Sequence, residues 1–219
     1  MMFENKIAIV TGASRGIGRA TAMALANQGA HVIAIARTIG GLEELDDEIK
    51  KIGKGSATLV PLDITDTEKL QSLGPSLITR YPKIDVLVSA AGYLEKLTSV
   101  AGAPQGYLPR VLATNVTANV NLIQTLHPLL RNASDSRSVF LTADENIIGK
   151  AYWGYYGASF AALKALVHSY AAENPEMWIK TFTPKATQTR LCAEAYPGLT
   201  NGQTPEQTAI DILQYLSLR

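Results

Sequence analysis

Three glycines near the start of the chain, Gly12, Gly16 and Gly18, are the first residues whose type and spacing could do chemistry. They follow an apolar, β-branched run, Ile7 to Val10, that suits a buried strand. Arg19 to Asn27 then reads as a helix. A glycine-rich turn between a strand and a helix cradles phosphate. The backbone turns tightly and approaches a pyrophosphate closely, and the helix start offers free N–H groups and a partial positive charge. The order strand, turn, helix points to a bound nucleotide.

The elements that must position this turn alternate along the whole chain. His31 to Ala36 is a second strand, and Leu42, Leu45, Ile49 and Ile52 share one face of a helix over residues 40–52. Residues 57–62 form a third strand ending at Asp63, and a helix over 66–80 starts at Asp66 or Thr65 as N-cap. Strands follow at 84–89, 138–142 and 178–183, with helices over 105–130, within 151–173 and over 204–218. Residues 93–104 read as loop, and Thr204 followed by Pro205 marks the start of the last helix. Strands separated by helices imply right-handed crossovers and a parallel sheet of about six strands, hence one doubly wound α/β domain over residues 1–219. Ligands of such sheets sit at the carboxyl ends of the strands. Gly12, Asp63, Gly92, Ala143 and Pro184 all fall just past strand ends, so they are expected around one crevice.

Bulk properties exclude several partners. Net charge is +1 with no basic run, which argues against nucleic acid. Cys192 is the sole cysteine, so no internal disulfide forms and a reducing, cytoplasmic setting fits. The start MMFENK is too short and polar for a signal peptide, and no apolar run reaches membrane-spanning length. His31, His127 and His168 are isolated and have no metal-ligand spacing.

With these landmarks the chain resembles the short-chain dehydrogenase/reductase family, in its ordinary, non-extended branch. Thr11-Gly12-x-x-x-Gly16-x-Gly18 has that family's spacing, and Ser89-Ala90-Ala91-Gly92 is similar to its Asn-Asn-Ala-Gly motif. Asn115 is similar to the helix asparagine that supports a catalytic water, and Tyr156 to the tyrosine of the Tyr-x-x-x-Lys motif. Residues 184–189 are similar to the Pro-Gly loop that meets the nicotinamide, and residues 151–154 resemble a bacterial subgroup of oxidoreductases. The resemblance implies a Rossmann-type three-layer fold and hydride transfer to or from a small carbonyl or alcohol, with Tyr156 and Asn115 as catalytic residues. It implies cofactor contacts from Gly12, Ser14, Arg15, Gly16, Ile17 and Gly18 in the turn and from Arg37, Asp63 and Ile64 beside the adenosine. Ala90, Ala91, Gly92, Pro184, Thr187 and Thr189 complete that set. An acidic residue at the end of the second strand would bind a ribose diol and repel a 2′-phosphate, but that position is Ala36. Arg37 and Arg15 suit forked hydrogen bonds to a 2′-phosphate, so NADP(H) is expected over NAD(H). A homodimer through the helices 105–130 and 152–173 is expected as well.

The departures gather at one end of the cofactor. The family's serine position is Ala143 and its lysine position is Phe160. Lys164 lies eight residues past Tyr156, about 12 Å along a helix and too distant to act as that lysine. Lys150 has no position readable from the sequence. Thr142 points away from the site by strand alternation, whereas Asp144 reaches inward if the chain turns after Ala143. A phenol near its reference pKa of about 10 is roughly one-thousandth ionised at pH 7, so oxidation of an alcohol suffers more than reduction of a carbonyl. Lys185 replaces the loop glycine and is strained there if that residue has positive φ. After Thr189 the chain runs almost directly to its last helix, which implies a small lid and an open site. Two functions follow: an oxidoreductase with impaired or altered activity, or a catalytically silent NADP(H)-binding sensor or scaffold.

Overall fold

The computed structural model describes residues 2–198 and 200–218. Six strands make one parallel sheet in the order β3-β2-β1-β4-β5-β6: β1 (Ile7–Thr11), β2 (His31–Ala36), β3 (Ser56–Pro61), β4 (Val86–Ser89), β5 (Arg137–Leu141) and β6 (Trp178–Phe182). Chain direction reverses its walk across the sheet between β1 and β4, which opens the crevice at that switch point.

Alternation along the strands builds two cores. Ala8 and Val10 of β1 face α1 (Gly16–Asn27), α2 (Ile39–Ile52) and the closing helix, meeting Leu25, Leu42 and Ile212. Ile9 points to the other face, where Leu70 of α3 (Thr67–Ile78), Leu126 of α5 (Ala118–Arg131) and Leu163 of α6 (Gly154–Glu173) cover it. Layers of helix, sheet and helix result, with β1, β2 and β4 buried on both faces as their apolar runs require and the edge strands β3 and β6 partly exposed. Among the described residues no helix is long and apolar enough to cross a membrane.

Several boundaries differ from expectation for physical reasons. α1 begins at Gly16 rather than Arg19, because the glycine turn itself winds into the first helical turn. The expected helix over 105–130 is α4 (Tyr107–Leu112), one wide π turn over Ala113–Thr117, and then α5. The stretch after Thr189 does not run straight to the last helix: α7 (Arg190–Ala195) intervenes before α8 (Pro205–Leu216). Two caps agree with expectation. Asp66 accepts from the Lys69 N–H at 3.2 Å, and Thr204 accepts from the Gln207 N–H at 3.2 Å with Pro205 as the first helical residue.

Candidate functional site

A crevice of about 820 Å³ runs along the carboxyl ends of the strands. Gly12, Asp63, Gly92, Ala143 and Pro184 all line it. Its first end is the glycine turn. Gly12 has φ +69°, and a Cβ there would meet the Ala91 backbone at 3.1 Å. At Gly18 a Cβ would stand 2.4 Å from the Gly12 carbonyl oxygen. Glycine is therefore required by close approach of α1 to the turn, and the turn stays open to a ligand's phosphates. Arg15 stands at the N-cap of α1 and makes no side-chain cap hydrogen bond. The partial positive charge of the helix start thus faces the crevice.

Three arginines converge on this end. Partial burial and the like charges of Arg190 and Arg37 push the Arg15 guanidinium below its ordinary value, with Glu194 opposing. A guanidinium stays charged in any case, so the crowding marks a place where an anion relieves repulsion. Arg37 lies 3.7 Å from Asp63. Burial alone would raise the Asp63 pKa, but hydrogen bonds from the Thr65 N–H and hydroxyl, with Arg37 beside them, hold it below the usual carboxylate value. An open cradle that only glycine fits, a helix N-terminus and three arginines together suit the phosphates of a dinucleotide.

The middle of the crevice is held by backbone. The Thr11 hydroxyl accepts from the N–H groups of Ala90 and Ala91 at 3.1 and 3.2 Å, fixing the turn after β4 against β1. Ser89 donates to Asn119 at 2.6 Å. Ala90, Ala91 and Gly92 thereby line the crevice without offering side-chain polar groups.

The other end surrounds Tyr156. Phe160 packs edge-on against its ring, with centroids 4.8 Å apart and planes at 77°. Trp153 lies 5.9 Å away on another side, and Tyr196 stacks on Trp153 at 4.9 Å. Ala143 packs against the same two apolar clusters as Tyr156. Burial, reinforced by Cys192 and Tyr196, pushes the Tyr156 phenol far up from its ordinary value. Among the described residues no hydrogen bond reaches that hydroxyl, so it stands ready to donate to a ligand.

Neighbouring polar groups are committed elsewhere. Asn115 donates to the Tyr93 carbonyl and to Ser159 Oγ, both at 3.0 Å, and its Oδ1 accepts from the Tyr93 N–H at 2.8 Å. Ser159 in turn donates to the Tyr156 carbonyl at 2.7 Å. Of the expected site residues, Asn115 is the one that does not line the crevice. It sits behind Tyr156 and ties the β4 turn to α6. The Thr142 hydroxyl turns to Thr183 on the β6 side at 3.0 Å. Asp144 lines the crevice while its side chain accepts from the Asn146 N–H at 2.8 Å. Lys164 is paired with Glu145 at 3.1 Å, and the Lys150 ammonium lies over the Trp153 and Tyr196 rings at 5.3 and 5.2 Å.

The loop after β6 corrects two expectations. Lys185 is not strained, since Asn5 and Tyr152 are the non-glycine residues with positive φ among those described. The site is also covered more than a small lid implies, because α7 crosses the crevice. Thr189 caps that helix by accepting from the Cys192 N–H, and its methyl group would lie 3.2 Å from a Cβ on Gly16. Thr187 is buried, donating to the Lys185 carbonyl at 2.7 Å and sharing a 2.9 Å hydrogen bond with Thr208. Arg190, Trp153 and Tyr196 line the crevice and were not singled out from the sequence. Arg190 and Tyr196 sit in or beside a six-residue helix, too short to show periodicity.

Residues 6–198 match the family described as short chain dehydrogenase. The uncharacterized oxidoreductase YciK of Escherichia coli K12 is 30% identical over 199 residues, covering 90% of this chain and 79% of YciK. A short chain dehydrogenase from Salmonella enterica serovar Typhi superposes with a TM-score of 0.92 at 28% identity, over 99% of this chain and 90% of that one. A short chain dehydrogenase from Escherichia coli CFT073, solved with NADPH, superposes with a TM-score of 0.89 at 30% identity, over 99% of this chain and 91% of that one.

Proposed function

The chain belongs to the short-chain dehydrogenase family, and on that premise we propose that it binds NADP(H) and reduces a carbonyl compound, with Tyr156 as proton donor. The observation that carries this reading is that the glycine cradle and the Tyr156 hydroxyl share one crevice, about 820 Å³ in volume. Arg15 and Arg37 hold the adenosine 2′-phosphate, and Gly12, Ser14, Gly16, Ile17 and Gly18 surround the pyrophosphate. Asp63 and Ile64 border the adenine, while Ala90, Ala91, Gly92, Pro184 and Thr189 border the remainder. The NADPH complex of the Escherichia coli CFT073 relative supports this choice of cofactor. When bound, the cofactor supplies the hydride.

Direction follows from the Tyr156 environment. Burial favours the neutral phenol, which is the form that donates a proton to a carbonyl oxygen. Oxidation needs the phenolate, and among the described residues neither a lysine nor a serine hydrogen-bonds the Tyr156 hydroxyl to stabilise it, since Ser159 is turned to the backbone carbonyl. Asn115 acts as a positioning residue through Ser159. Turnover is reduced relative to a site with the full set of polar groups. Phe160 against Tyr156 favours a second reading, a silent NADP(H)-binding sensor, because an edge-on phenyl ring offers the nicotinamide ribose no hydrogen bond.

Titration of NADPH fluorescence with pure protein, followed by turnover on a panel of aldehydes and ketones, tests both readings. Binding with slow reduction fits the first and binding without turnover fits the second. Absence of binding overturns both. The reading includes a cytoplasmic homodimer through α4, α5 and α6, supported by the exposed Leu108 and Leu166 on that surface. Light scattering on the pure protein reads its mass.

A further inference from the structure

We propose that the Tyr156 end of the crevice is a hydrophobic substrate site, which takes an aldehyde or ketone with an apolar body such as an aryl group and rejects polyhydroxylated carbonyl compounds. This rests on Tyr156 as the proton donor.

The wall of the site carries the inference. Leu94, Ile147, Trp153 and Ala195 form a buried apolar cluster of their own, on which Ala143 and Tyr156 pack. All four come from segments past the carboxyl ends of β4, β5 and β6, and all four line the crevice. The sheet cores do not need this cluster, because each face has its own. Its place is the floor of the site.

An aromatic run continues from it. Phe160, Tyr156, Trp153 and Tyr196 follow one another with centroids 4.8, 5.9 and 4.9 Å apart. Tyr196 is 37% exposed at the outer edge and extends the apolar wall that an entering ring would meet. The polar groups beside this wall are already engaged: the Lys150 ammonium lies over the Trp153 and Tyr196 rings, and the Asp144 carboxylate accepts from the Asn146 N–H. Ala143 and Phe160 replace groups that would hydrogen-bond, and the Thr142 hydroxyl is turned to the β6 side. A substrate hydroxyl placed here loses its water and gains nothing. An apolar body gains contact area and leaves only its carbonyl oxygen to be met, by Tyr156.

Ligand-observed NMR titrations with acetophenone and with dihydroxyacetone, on the chain with and without NADP+, test the site directly. Acetophenone is expected to bind at least tenfold more tightly than dihydroxyacetone. Tyr196→Ala is expected to weaken acetophenone at least fivefold, and Tyr196→Phe to leave it unchanged. Equal affinity for the two ketones, no binding of either, or indifference to Tyr196→Ala overturns the proposal. Turnover with NADPH is read separately. Selective binding without reduction leaves the hydrophobic site standing and removes Tyr156 as a working proton donor.

Discussion

The two ends of the crevice are built on opposite plans. At the glycine turn, charge and backbone do the work: a helix start without a side-chain cap, a turn that only glycine fits, and Arg15, Arg37 and Arg190 crowded together. At Tyr156, rings and an apolar cluster surround the phenol. The first end suits an anion and little else. The second suits an apolar ligand with one oxygen to protonate. A dinucleotide spanning both would make binding and chemistry separable here: the groups placed to hold phosphates are distinct from those placed to speed a reaction. Family membership predicts the first end well and the second poorly, because function lives in the site rather than the fold.

The largest expected effect comes from making the second end polar again. The double variant Ala143→Ser, Phe160→Lys supplies a hydroxyl for the substrate oxygen and an ammonium near the phenol. Carbonyl reduction is expected to rise on the order of 10²–10³-fold, the scale of one oxyanion donor. Single variants fall short of that product, since residues acting as a unit are not additive. Steady-state kcat with NADPH checks it. A wild type as fast as the double variant breaks the comparison, because the apolar end would then carry full chemistry.

Next is Gly18→Ala at the first end. The new Cβ would start 2.4 Å from a backbone oxygen that cannot move alone. NADPH affinity is expected to fall about 100-fold, with a loss of about 3 kcal/mol in stability or more. Calorimetry and a thermal melt separate the two effects. Arg37→Ala follows. Loss of charge-assisted hydrogen bonds of about 1.5–3 kcal/mol lowers the preference for NADPH over NADH roughly 10–100-fold, while NADH binding itself hardly changes.

Sequence made the first end legible and half of the second. The glycines and Arg15 lie in the turn between β1 and α1, and Arg37 directly follows β2, so local pattern fixes their geometry. Loss of the serine and lysine was also readable, as Ala143 and Phe160. What replaced them was not. Phe160, Tyr156, Trp153 and Tyr196 form one run because the end of α7 returns against the start of α6. Asn115 read as a residue near the reaction, yet its amide is spent on Tyr93 and Ser159. Lys185 read as strained if its φ were positive, and its φ is not. Contacts between segments far apart in sequence decide each of these, and no periodicity encodes them.

A pH profile sharpens the contrast. The Tyr156 pKa is raised by burial, so the neutral donor persists across the working range. Reduction is expected to be flat from about pH 6 to 9, whereas any alcohol oxidation rises about tenfold per pH unit with the phenolate fraction. Phe160→Lys lowers that pKa and bends the oxidation curve to a plateau at a lower pH. Stopped-flow rates in both directions read it. A wild-type reduction rate that falls near pH 7 removes Tyr156 as the donor.

The smallest effect probes whether the two ends are independent. α7 belongs to both: Thr189 and Arg190 lie over the glycine turn, while Ala195 packs into the apolar cluster around Tyr156. Arg190 is about two-thirds exposed and paired with Glu194 at 3.3 Å, so its charge is screened and partly answered already. Arg190→Ala is expected to weaken NADPH only about three- to tenfold, and less as salt rises. Ketone affinity at the Tyr156 end should stay as it was if the helix keeps its place through Thr189 and Ala195. A parallel loss at both ends means that Arg190 holds α7 down as well as attracting phosphate. The short helix would then couple the charged end to the apolar one. Hydrogen exchange over residues 190–195, with and without NADPH, distinguishes those outcomes: faster exchange in Arg190→Ala without ligand marks a helix that has lifted, and unchanged exchange marks the loss of a charge alone.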